Sequence, residues 1–99
     1  MTLTEFFAAK AALWAAYCPR INAAIETFQA ARDAFRFFHV FADASPAELE
    51  NKARLKREMK AAYAAYVALS RAYDSEVSKL GKKVDLEAEY AEYMARTAG

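Results

Sequence analysis

Asp43-Ala44-Ser45-Pro46-Ala47-Glu48 is the stretch on which the fold of this 99-residue chain turns. Ser45 suits an N-cap, Pro46 the first helical position, and Glu48 the closing residue of a capping box. A helix therefore starts at Pro46, and the element before it ends by about residue 42. On both sides of this turn the apolar residues recur at helical spacing. At about 100° per residue, Leu3, Phe6, Phe7, Leu13, Trp14, Tyr17, Ile21, Ile25, Phe28 and Phe35 share one face of the preceding segment. Leu55, Met59, Ala62, Tyr63, Tyr66, Leu69, Tyr73, Val77 and Leu80 share one face of the following segment. Two arms, residues 4–42 and 46–80, joined by a turn at residues 43–45, predict an all-α antiparallel helical hairpin. Their rise would be about 58 and 52 Å.

The ends of these arms carry their own signals. Thr2 and Glu5 have capping-box spacing, so the first helix starts near residue 4. Pro19 removes one helical hydrogen bond and crowds the preceding turn, which predicts a kink or a break. The stripe keeps its phase across Pro19, which favours a kinked helix over two separate ones. Gly81 is expected to stop the second helix in the left-handed conformation. Asp85 then caps a short helix over about residues 86–97, with Leu86, Tyr90, Tyr93 and Met94 on one side. The apolar face of the second arm is too wide for one neighbour. Each arm needs at least two, and dimerisation into a four-helix bundle supplies them most economically. The chain reads as a single helical domain, residues 1–99.

Composition narrows the function classes. Twenty-five alanines favour helix and close approach of helix axes, while seven Phe, six Tyr and one Trp supply the large apolar groups. This composition excludes a disordered chain. The net charge is +1, but it is segregated: −2 over residues 1–51, +6 over residues 52–83 and −3 over residues 84–99. Such a distribution is expected to neutralise itself within a bundle or across a dimer. Cys18 is the only cysteine, so no intrachain disulfide is available. No apolar run is long enough to span a membrane, and the N-terminus lacks a signal-peptide pattern. A soluble cytoplasmic protein is expected.

Four constellations are candidates for function. Phe37 and Phe41, with Val40, lie beside the turn, and the two rings project away from the core stripe at i, i+4. They form a docking knob for a partner protein unless residues 84–98 cover them. Lys56, Arg57, Lys60 and Arg71 belong to a basic set on the second arm; Arg57, Lys60 and Arg71 fall within about 60° of one another on the back of its apolar stripe, where nucleic acid could be held by its phosphates. The acidic residues Asp85, Glu87, Glu89 and Glu92 suit a helix start, or a small inhibitor that occupies another macromolecule's binding surface. His39 stands four residues before Asp43, but no further ligand lies near enough for a zinc site, and its phase is on the core side. Arg32, Tyr63, Tyr66 and Tyr73 fall inside the stripes and are expected to fix the register of the arms.

In length and hairpin shape the chain is similar to the WXG-type secreted helical hairpins. Trp14, however, is followed by Ala15 and Ala16 and lies mid-helix, and the turn at residues 44–46 has no tryptophan. No property of that family is carried over. With two glycines, one of them terminal, no phosphate-cradling loop can be built, and no catalytic, cofactor-binding or metal-binding set stands out. The expected function is therefore non-enzymatic: a protein-binding or assembly module acting through apolar and aromatic helix faces. The expected partner is a second copy of the chain (a homodimer) or another protein, with no membrane role. Nucleic-acid binding through residues 52–71 and inhibition of another macromolecule are the alternatives.

Overall fold

The computed structural model describes residues 1–98. It is all-α, with α1 over Leu3–Phe37, α2 over Pro46–Gly81 and α3 over Leu86–Ala98. The two long helices pack against each other as a hairpin. By contact density the chain forms two compact units. One comprises residues 18–70 and contains the turn; the other joins residues 1–17 to residues 71–98.

The helix starts follow from side-chain capping. The Glu48 N–H donates to Ser45 Oγ (3.2 Å), and the Ser45 hydroxyl donates to Glu48 Oε1 (3.2 Å). Thr2 and Glu5 repeat this at the start of α1, with distances of 3.1 and 3.2 Å. The Ala88 N–H donates to Asp85 Oδ1 (3.1 Å) at the start of α3. The bonds from the Glu5, Glu48 and Ala88 N–H groups each satisfy a first-turn donor that has no partner inside its own helix.

The helix ends differ from the sequence expectations in two places. Helix α1 stops at Phe37, five residues short of residue 42. The cause is Lys52 on α2, whose Nζ donates to the carbonyls of Phe35 and Phe38, the latter at 2.7 Å. The same ammonium lies 4.0 Å from the centroid of the Phe35 ring. A cation bound to the last carbonyls and to an aromatic face fixes a helix C-terminus. Gly81 is not a left-handed stop. It is the last residue of α2, and no described glycine has a positive φ. The helix is closed by the Lys82 N–H on the Ser78 carbonyl and the Lys83 N–H on the Leu80 carbonyl.

Helix α1 is unbroken through Pro19, which is exposed. The proline's missing N–H therefore frees a carbonyl on a wetted face, where water can reach it. On the opposite side the stripe continues without a phase change: Leu13, Tyr17, Ile25 and Phe28 are half-buried, and Ile21 is buried.

Packing within the units is carried by aromatic contacts. In the terminal unit, Tyr73 lies between Trp14 (ring centroids 5.3 Å apart, edge-on) and Tyr17 (5.8 Å). In the middle unit, Tyr63 packs on Phe28 at 5.3 Å and meets Tyr66 at 6.4 Å. Offset rings at these distances contribute beyond their buried area, about 1 kcal/mol per pair. Ile21, 8% exposed, is the only buried residue among those described, and none of them is fully buried.

Candidate docking surfaces

The middle unit presents the aromatic pair expected from the sequence. Phe37 and Phe41 are each 71% exposed, and Val40 is half-buried. Their geometry is not that of one helical face, because only Phe37 belongs to α1. Phe41 sits in the connection, where its carbonyl accepts the Ala44 N–H (3.0 Å). His39, expected on the core side, is exposed in this same connection. Its helical phase lost its meaning once Lys52 ended the helix at Phe37.

Two of the basic residues of α2 pair with acids on the same helix. Arg57 pairs with Glu50 at 3.5 Å and Arg54 with Glu58 at 2.9 Å. Lys56 and Lys60 are exposed in the middle unit, and Arg71 is exposed in the terminal unit. Lys60 also borders an open groove of about 410 Å³ floored by Phe28, Met59 and Tyr63. Arg32 lines the same groove. Its Nε is 3.5 Å from Asp33 Oδ1, within ion-pairing range but without hydrogen-bond geometry. Arg32 thus pairs along its own helix, not with the opposing arm.

The terminal unit carries two features that face solvent. The first is the apolar stripe of α3: Leu86, Tyr90, Tyr93 and Met94 are all exposed. Helix α3 is held to the start of α1 by its polar side, since the Leu3 N–H donates to Glu89 Oε1 (2.7 Å). The N-terminal ammonium also donates to the Lys83 carbonyl (3.2 Å). The second feature is a groove of about 460 Å³ between α1 and α2. Ala9, Ala12, Leu13 and Ala16 form one wall and Leu80 part of the other. Its rim carries Glu76, Lys79 and Lys83. Sequence reading missed this groove because alanines on the flank of a stripe look like generic helix formers. The spacing Ala9, Ala12, Leu13, Ala16 is the signal that could have found it.

Among the described residues no group of three or more His, Cys, Asp or Glu could hold a metal ion. No helix there is long and apolar enough to cross a membrane. Comparison with known proteins is negative. No family model, curated protein or solved structure matches the chain.

Proposed function

We propose that this chain is a non-enzymatic assembly module that associates with a second copy of itself through apolar and aromatic helix faces. One observation carries this reading. The chain exposes 7309 Å², whereas a folded monomer of 11.1 kDa is expected to expose about 5,700 Å². The surplus of about 1,600 Å² per chain is at least twice the 800 Å² or so that each partner buries in an ordinary stable interface. That surplus includes eleven large apolar side chains, among them Phe7, Trp14, Phe37, Phe41, Leu86 and Tyr90. Side chains of this kind anchor interfaces once water is excluded from them.

Solution mass by light scattering after size exclusion tests the reading. The expected result is at least twice the 11.1 kDa chain mass. A single-chain mass across the accessible concentration range rejects self-assembly.

A further inference from the structure

We propose that α3 of one copy seats its Leu86–Tyr90–Tyr93 stripe in the Ala9–Ala16 groove of a second copy, reciprocally, about a two-fold axis. This rests on the assembly reading above and names its contact. Three properties of the terminal unit support it.

The first is openness on both sides. Leu86 and Tyr90 are 69% and 65% exposed, so the stripe is not seated in its own chain. The groove is equally unfilled. Side chains at i, i+4 and i+7 of an amphipathic helix are the usual means of filling a groove between two helices.

The second is matched length. The stripe from Leu86 to Tyr93 and the wall from Ala9 to Ala16 each cover eight residues, or seven helical steps. Each therefore rises about 10 Å, or two helical turns. Alanine keeps the wall low enough for tyrosine rings to approach the helix backbone, and both tyrosine hydroxyls can remain at the wet rim.

The third is complementary charge. Lys79 and Lys83 stand on the rim of the groove, and the single acid there, Glu76, leaves the rim net positive. Helix α3 is acidic: Glu87 borders the stripe on one side, Glu89 on the other is engaged with the Leu3 N–H, and Glu92 lies farther round toward the back of the helix. Because ridge and groove belong to the same unit, one two-fold operation places both ridges against both grooves. Self-complementarity of this kind is what an isologous contact requires, and it favours a second copy over a foreign chain.

A charge swap tests the contact. One variant carries Lys79→Glu with Lys83→Glu; the other carries Glu87→Lys with Glu92→Lys. All four positions are exposed, so circular dichroism should show unchanged helix content. In the first variant both ridge and groove are acidic, and in the second both are basic. Each alone is expected to dissociate at least about tenfold more readily than the unaltered chain. Mixing the two restores opposite charge in both contacts, so the heterodimer should regain near-native affinity. If the unaltered chain is a dimer but the mixture shows no recovery, the α3 contact is wrong and the assembly reading stands. If neither variant weakens the dimer, the α3 contact is likewise wrong. If the unaltered chain is a monomer, both fail.

Discussion

Lys52 is the residue whose role was least visible beforehand. In the sequence it is one of nine bases between residues 52 and 83; in the fold it terminates α1 by binding the carbonyls of Phe35 and Phe38. Hydrogen bonds from a charged donor are worth about 1.5–3 kcal/mol. Lys52→Met retains the stem and removes the donor, and should lower unfolding stability by about 1–2 kcal/mol in urea titration. Gly81 gives a prediction of the opposite sign. A left-handed stop would resist a side chain, but Gly81 is helical, and a Cβ there would lie 4.0 Å from Phe6 Cε2, an ordinary contact. Gly81→Ala should therefore raise stability by about 0.5–1 kcal/mol, read from the same titration. Ser45, Thr2 and Asp85, by contrast, were legible as caps, because a capping side chain acts on N–H groups two or three residues away. Lys52 reaches back 14 and 17 residues, and no local pattern records that distance.

At the scale of the elements, the hairpin itself was legible. The two apolar stripes and the turn between them specify two helices and their antiparallel connection. The unbroken phase of the stripe favoured continuity through Pro19 without fixing it, and the helix is continuous there. The proline still leaves the Ala15 carbonyl without its helical donor. Pro19→Ala should restore that bond and raise the thermal midpoint, with a gain of about 1–3 kcal/mol at the wild-type midpoint. Helix α3 was legible as an element, but its orientation was not. The sequence offered either its apolar stripe or its acids as the contact face, and the Leu3–Glu89 hydrogen bond selected the polar side. Glu89→Ala should loosen this attachment, which amide hydrogen exchange at residues 3–6 would report as faster exchange with the long helices otherwise protected.

For the whole molecule, the aromatic pair at Phe37 and Phe41 was legible as exposed, though for a partly mistaken reason, since the helix expected to carry both rings ends at the first. Their shared exposure supports a direct prediction. Phe37→Ala with Phe41→Ala should weaken self-association by about tenfold or more while helix content is kept, as measured by sedimentation equilibrium with circular dichroism as control. Association at unaltered strength would exclude the pair as an anchor. The groove between α1 and α2 was not legible, because concavity arises from two helices meeting and neither segment contains it alone.

The division into two units also sets an order of events on the ribosome. Residues 18–70 form one unit from contiguous chain, and it can assemble as soon as residue 70 has emerged. The other unit joins the first 17 residues to residues 71 onward, so its N-terminal half must wait while the intervening chain is made. Closing the middle unit first shortens the effective loop between those halves, and the entropy of bringing them together falls with it. During that interval Phe6, Leu13 and Trp14 stay open to water, because the neighbours they meet in the folded unit, Gly81, Leu80 and Tyr73, have yet to be made.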